Sequence, residues 1–319
     1  MTPLGIVAFL DGRPGHEKQT KGVLAALARL TPLDVTFRTV RAGSFAAGLK
    51  DWIRYFSGCI ISRRKRAGRP AVDLIIGTGA YTHIPMLGLK KRVGAKAVTC
   101  MSPAFPLVRK MDLCFVPRHD RRRSEENIFV TIGPPNNPGA KSGHDPKKGL
   151  ILVGGIDKKS HRWHTADVLA QIEAVLAMDS TLTWTISSSP RTPLDTITAL
   201  ERLAAVTADV MFFRSESTSA GWIEKQYEDN FTVWVTADSI SMIFEAVTAG
   251  CRVGILPVEW KGKDSKFKRS VDDLIRHGWV TPFDGLRAGG EMGTQGAPLD
   301  EATRCAREIL KRWWPERLQ

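Results

Sequence analysis

The stretch Phe231-Thr-Val-Trp-Val235, continued by Thr236-Ala-Asp-Ser-Ile-Ser-Met-Ile-Phe-Glu-Ala-Val-Thr-Ala-Gly250 and by Arg252-Val-Gly-Ile-Leu-Pro-Val258, decides the class of fold. An apolar run of strand length passes through a turn of small and hydroxyl residues into a helix-length segment that stops at Gly250, and a second apolar run follows. Strands that are apolar throughout and joined by a helix imply a parallel sheet covered on both faces. Small and hydroxyl residues at such a junction leave backbone N–H groups and the positive end of a helix dipole facing outward, an arrangement suited to a phosphate.

The same alternation runs along the chain in both directions. Apolar runs recur at Gly5–Leu10, Leu33–Val40, Asp73–Gly77, Ala95–Cys100, Leu113–Val116 and Phe129–Ile132, and again at Leu150–Val153, Leu182–Ser187 and Val210–Phe213. Between the two series lies Gly133 to Gly149, where Gly, Pro and Asn fill 10 of 17 positions and no apolar period survives, so it reads as a linker. A second glycine-rich stretch, Gly285 to Pro298, precedes Leu299–Trp314, where Ala302, Cys305, Ile309 and Trp313 share a helical face. The expectation is an α/β chain of two Rossmann-like, doubly wound domains facing a cleft. They would span residues 1–140 and 150–298, with a C-terminal helix in 299–319 that packs back on the first.

Composition supports two cores. The 319 residues carry 46 Lys+Arg against 33 Asp+Glu, a formal charge of +13, and 43% are hydrophobic, which excludes a disordered or fibrous chain. No apolar run approaches the ~20 residues that span a bilayer. The run Gly5–Leu10 is too short for a signal peptide, so a cytoplasmic location is expected. Cys59, Cys100, Cys114, Cys251 and Cys305 show no CxxC spacing and read as reduced thiols rather than a disulfide or zinc framework.

In doubly wound sheets ligands bind at the carboxyl ends of strands. The first strand ends in Asp11-Gly-Arg-Pro-Gly-His-Glu-Lys-Gln19, where Gly12 and Gly15 allow a tight turn and His16 opens the next helix. An imidazole there is placed to act as a base, with Asp11 beside it; the same residues would equally serve as a helix cap and a turn. The fragment is neither GxGxxG nor a Walker loop. The third strand ends in Ile76-Gly-Thr-Gly-Ala-Tyr-Thr-His83, and two such turns at one sheet edge make Gly12, Arg13, Gly15, Gly77, Thr78, Gly79 and Tyr81 candidate cleft residues. In the second series Val153-Gly-Gly-Ile-Asp-Lys-Lys-Ser160 and Ser187-Ser-Ser-Pro-Arg-Thr192 end strands, offering Gly154, Gly155, Ser189 and Arg191, the last able to pair with phosphate. Asp238, Ser239, Ser241, Met242 and Glu245 come from the opening stretch. His161 and His164 have the spacing of one helical face, but no third ligand is apparent, so they read as a solvated pair and no metal site is expected.

Part of the charge is local. Phe45, Leu49, Trp52, Ile53, Phe56 and Ile60 mark one helical face, followed by Arg63, Arg64, Lys65, Arg66 and Arg69. Such a stretch suits an anionic membrane surface, with Trp52, Phe56 and Arg63 to Arg66 as contacts, and equally suits a core helix followed by a solvated basic loop. No helix-turn-helix, zinc-finger or RNA-binding sheet signature accompanies the charge, so no nucleic acid is expected.

In order and type, these motifs resemble the GT-B glycosyltransferases, including the membrane-associated N-acetylglucosaminyltransferase that makes the lipid-linked peptidoglycan precursor. Asp11-Gly-Arg-Pro-Gly-His-Glu-Lys-Gln19 and Thr236-Ala-Asp-Ser-Ile-Ser-Met242 resemble more closely the bacterial and plant family named for a mitochondrial fission protein. The resemblance implies a GT-B fold and a cytoplasmic enzyme on the inner face of the membrane. It would need no cofactor or metal, and would move a sugar from a nucleotide-diphosphate sugar, UDP-linked by expectation, to a lipid-linked or envelope-glycan acceptor. It implies Gly154, Gly155 and Ser239 to Ser241 near the diphosphate, Glu245 on the ribose, and His16 as the base. Ile156 stands where the peptidoglycan enzyme has a small hydroxyl residue, and Glu259 to Asp264 lacks its glutamine-rich stretch. Since some members of the fission-named family are recruitment factors, a non-catalytic adaptor that recruits a protein at a membrane is the alternative.

Overall fold

The computed structural model describes residues 1–40, 72–120, 126–137, 143–262, 266–287, 292 and 299–318. The chain divides into two compact units, Met1–Asn137 with Asp300–Gln319, and Pro138–Leu299.

The first unit is built from β1 (Leu4–Leu10), α1 (Pro14–Ala28), β2 (Leu33–Thr39), β3 (Leu74–Gly77), α2 (Ala80–Val93), β4 (Lys96–Thr99), β5 (Leu113–Pro117) and β6 (Ile128–Thr131). Its six strands are parallel in the order β2-β1-β3-β4-β5-β6. The order reverses between β1 and β3, which pair from Ile6↔Leu74 to Phe9↔Gly77, so their carboxyl ends open at a topological switch point.

The second unit repeats the plan. It comprises β7 (Asp145–Leu152), β8 (His161–Arg162), α3 (Thr165–Met178), β9 (Thr183–Ser187), α4 (Leu194–Val206), β10 (Val210–Phe213), α5 (Trp222–Asp229), β11 (Asn230–Thr236), α6 (Ile240–Ala249), β12 (Arg252–Leu256), β13 (Glu259–Trp260), α7 (Lys266–Arg276), β14 (Thr281–Pro282) and α8 (Phe283–Arg287). The parallel order is β10-β9-β7-β11-β12-β14, with its switch point between β7 and β11, while β8 and β13 form a separate antiparallel pair. Two doubly wound sheets of six strands are the GT-B architecture. Strand β7 begins at Asp145, inside the stretch read as linker, because its first residues reach alongside Asn230 of β11 before the apolar run begins.

The central strands of each sheet are covered on both faces. In the first unit Leu4, Ile6 and Ala8 of β1 meet α1 and the last helix, α9 (Glu301–Trp313), whereas Val7 and Phe9 meet α2 on the opposite face. Ala302, Cys305, Ala306, Ile309 and Leu310 of α9 are fully buried in that core, so the chain terminus completes it. Asp300 caps α9 by accepting the Thr303 N–H at 3.0 Å. Glu301 is buried, takes the Ile132 N–H at 3.1 Å and pairs with Arg304 at 2.6 Å. Burial nevertheless holds its carboxyl above the ordinary carboxylate range.

Ile309→Ala should lower the stability of the first unit by about 2–5 kcal/mol, because it opens a cavity in a closed core. Arg307→Ala on the exposed side of α9 serves as the near-neutral control; equal urea midpoints for the two variants would contradict the assignment. A carboxyl raised in the folded state contributes most below its unfolded pKa and loses that contribution as pH rises through the folded one. Glu301→Gln keeps an acceptor for Ile132, so its stability relative to wild type should improve between pH 4 and pH 7 in urea titrations.

Candidate functional site

In the first unit β1 delivers Asp11 to the sheet edge with its side chain wholly buried. Gly12 turns the chain at φ +79° and Arg13 stands at the N-cap of α1, with Pro14 fixing the first turn. That turn brings His16 back over Asp11, Nδ1 to Oδ2 at 2.8 Å, while Oδ1 accepts the Arg13 N–H at 3.1 Å. A carboxylate only accepts, so in the neutral imidazole the proton sits on Nδ1 and Nε2 is the basic nitrogen, on a side chain one quarter exposed. The arrangement is that of a general base oriented by a buried acid.

The turn after β3 closes over this pair. Gly79, at φ +108°, has no room for a side chain: a Cβ would fall on Asp11 Oδ2 and within 2.6 Å of His16 Nδ1. Gly77 pairs in register with Phe9, and the Thr78 and Thr20 hydroxyls meet at 2.9 Å in the interior, fastening the turn to α1. Tyr81 is exposed, its ring 5.5 Å below the Arg13 guanidinium. Gly15 lies in the first turn of α1 with open space around it. Thus Asp11, Gly12, Arg13, Gly15, His16, Gly77, Thr78, Gly79 and Tyr81 gather at the switch point of one sheet. Sequence reasoning did not single out His83, which is buried against Thr99 at 3.3 Å. Burial first, and the neighbouring His16 second, push its pKa down to about 4, so it stays neutral beneath the base. Its signal was its place on the helix that follows the glycine turn.

In the second unit the strand ends are laced together. Thr236, the last residue of β11, takes the Gly154 N–H on its hydroxyl at 2.8 Å; Asp238 takes the Gly155 N–H at 3.1 Å; the Arg191 carbonyl takes the Ile156 N–H at 3.0 Å. The Gly154–Gly155 turn therefore offers no amide to a phosphate; its glycines serve close approach. A Cβ at Gly154 would fall on the Asp238 carboxylate, and one at Gly155 on the Arg191 backbone. The Ser189 hydroxyl donates to the Gly154 carbonyl at 3.0 Å, and Thr192 donates to the same oxygen.

Arg191 is the exposed member of this group. Its guanidinium pairs with Asp238 at 2.7 Å and donates to the Gly155 carbonyl at 3.2 Å and to Ser239 at 3.3 Å. Ser239 is the N-cap of α6 yet makes no side-chain cap, so the first turn of α6 has no side-chain partner there. Ser241 is exposed on that turn and Met242 half-buried; the Met242 carbonyl lies 3.5 Å from the Tyr227 hydroxyl. Glu245, half-buried one turn on, adds to the burial that raises the Tyr227 phenol well above its ordinary pKa.

His161 and His164 do not share a helical face. His161 is buried in β8, donating from Nε2 to the Gly155 carbonyl at 2.9 Å and meeting the Ser160 hydroxyl at 2.8 Å, whereas His164 precedes α3 and pairs with Glu259 at 2.9 Å. Among the described residues no group of His, Cys, Asp and Glu is arranged to hold a metal ion, and no helix is long and apolar enough to cross a membrane. Trp52, Phe56 and Arg63 to Arg66 lie outside the described residues.

A search of curated protein sequences finds no significant match. Among solved structures, the chain is similar to the UDP-GlcNAc 2-epimerase of Methanocaldococcus jannaschii (12% identity, 97% of this chain and 100% of that one, TM-score 0.60). It is also similar to a putative UDP-N-acetylglucosamine 2-epimerase of Listeria monocytogenes (12% identity, 97% and 95%, TM-score 0.63) and to S. aureus MnaA, solved with UDP (11% identity, 100% and 98%, TM-score 0.51). At these identities the likeness shows the shared two-unit fold. The sequence model described as mitochondrial fission ELM1 matches residues 14–313, which takes in His16, both glycine loops and the helix that completes the first core, and the chain belongs to that family.

Proposed function

We propose that this protein is a glycosyltransferase in which His16 is the general base. The observation that carries the reading is the Asp11–His16 contact of 2.8 Å through Nδ1, sealed by a glycine that leaves no room for a side chain, on an imidazole that is one quarter exposed. In the transfer step the proton of an acceptor hydroxyl passes to His16 Nε2 as its oxygen bonds to the anomeric carbon of a nucleotide-diphosphate sugar. The bond from that carbon to the diphosphate breaks, and the diphosphate leaves with the electron pair. Asp11 steadies the imidazolium that results. Charge on the departing group is met by Arg191 and the uncapped first turn of α6, so the reading asks for no metal.

Acceptor chemistry belongs to the first unit in this reading, around Arg13 and Tyr81, and donor chemistry to the second, with Glu245 on the ribose. The names of the structural neighbours make UDP the first nucleotide to try. A lipid-linked or envelope-glycan acceptor, and a place on the inner face of the cytoplasmic membrane, are supported by the apolar stripe of residues 45–60 and the basic run Arg63 to Arg66. The motif likeness to the peptidoglycan N-acetylglucosaminyltransferase supports the same acceptor class. The alternative, an adaptor without catalysis, is favoured by the name of the family alone.

Incubation with a panel of nucleotide sugars and membrane extract should release nucleoside diphosphate, and His16→Ala should slow that release by about 10²–10⁴-fold while leaving nucleoside-diphosphate binding intact. Silence across the panel, with a cellular role that tolerates His16→Ala, would overturn catalysis and leave the adaptor. Gly79→Ala should abolish turnover as well, because the added methyl displaces the carboxylate that orients the base, with melting of the second unit unchanged; full activity in this variant would contradict the sealed pair.

A further inference from the structure

We propose that Asp238 is a positioning residue that fixes Arg191 for the donor diphosphate without touching the ligand itself. The inference rests on the donor reading above and deepens it.

A carboxylate beside an anion seat is electrostatically awkward, since Coulomb repulsion opposes the very ligand the seat is meant to take. This one is kept, and its surroundings say why. The Asp238 side chain is 1% exposed. Its Oδ2 collects the Gly155 N–H at 3.1 Å, the Arg191 guanidinium at 2.7 Å and the Ser239 hydroxyl at 3.3 Å. Its Oδ1 is enclosed, has no hydrogen-bond partner among the described residues and lies where a Cβ on Gly154 would stand. The carboxylate is therefore out of reach of a ligand, while Arg191, 43% exposed, is within reach.

Three groups pin the guanidinium: Asp238 and Ser239 on Nη2, and the Gly155 carbonyl on Nη1. Of its five N–H donors, those on Nε and one on Nη1 are left by these bonds for a phosphate oxygen. The loop amides of residues 154 to 156 are already consumed, which leaves Arg191 and the first turn of α6, among the described residues, as the groups assigned here to meet a diphosphate. A long side chain held in its binding geometry before the ligand arrives loses less freedom on binding, and Asp238 supplies that hold.

The sign of one substitution separates this role from a simple charge. Asp238→Asn removes a negative charge near the bound diphosphate and on Coulomb grounds alone would tighten binding; if Asp238 positions Arg191, it weakens binding. The test is calorimetric titration of the 319-residue chain with UDP, GDP, ADP and dTDP. Wild type should bind at least one. For that nucleotide Arg191→Ala and Asp238→Asn should each weaken binding about tenfold. The double variant should be no weaker than Arg191→Ala to within about twofold, since Asp238 acts only through the arginine. Arg191→Lys, whose ammonium pairs with Asp238 but cannot span all three groups, should fall between wild type and Arg191→Ala. If Asp238→Asn does not melt cooperatively, Asp238→Ser takes its place. Equal or tighter binding by the neutral variant, or losses that multiply in the double variant, would overturn the positioning role while leaving the donor reading intact. Binding of none of the four nucleotides by wild type would overturn the donor reading and this proposal with it.

Discussion

A carboxylate taken out of water is costly unless donors surround it, and each unit of this protein keeps one at the switch point of its sheet. Asp11 follows β1 with a side chain 0% exposed, and Asp238 follows β11 with a side chain 1% exposed. Each accepts a backbone N–H and holds a basic side chain that reaches solvent, His16 at 2.8 Å in one case and Arg191 at 2.7 Å in the other. Each also lies where a side chain would stand on a neighbouring glycine, Gly79 or Gly154, so the absence of a Cβ is what makes room for the charge. Removing one partner of such a pair leaves an uncompensated charge in the interior, at a typical cost of about 3–5 kcal/mol.

The rest of the architecture supplies the setting. Strands buried on both faces consume their peptide groups in the sheet ladder, and helices α1, α2 and α9 close over the first sheet. Polar groups that are not spent in the ladder collect at the carboxyl ends of the strands, where the loops after β1 and β3, and after β7, β9 and β11, meet within their own units. The Thr236 and Ser189 hydroxyls tie those loops to one another, and His161 braces the loop after β7 against itself, so this end of the second sheet is held by its own hydrogen bonds.

Most strands were legible because parallel strands covered on both faces read as uninterrupted apolar runs, as Leu113–Val116 does to within one position; the edge strand Val210–Phe213 matches residue for residue although it is partly exposed. The two six-stranded doubly wound sheets follow from that pattern. The early start of β7 was hidden, since Asp145 to Gly149 pair as strand without an apolar signal. The pairs β8 with β13, two residues each, are too short to carry a period. At the candidate site, residue types were legible and their partners were not. Asp11 and His16 were read as neighbours at a helix start, a relation set by local turn geometry. That Gly79 presses on them, that Asp238 binds an arginine 47 residues away, and that the glycine amides of residues 154 and 155 are spent internally depend on long-range register, which composition and spacing do not encode. His161 was misread because its spacing to His164 suits a helix that the chain does not form there.

The proposed chemistry turns on the protonation pattern of one imidazole. Long-range ¹H–¹⁵N NMR of the histidine side chains, with His16 assigned by its loss in His16→Ala, reads that pattern directly. Neutral His16 should carry its proton on Nδ1, with Nε2 unprotonated, and this preference should disappear in Asp11→Asn. A proton on Nε2 in the wild-type protein would contradict the oriented base on which the proposed chemistry depends.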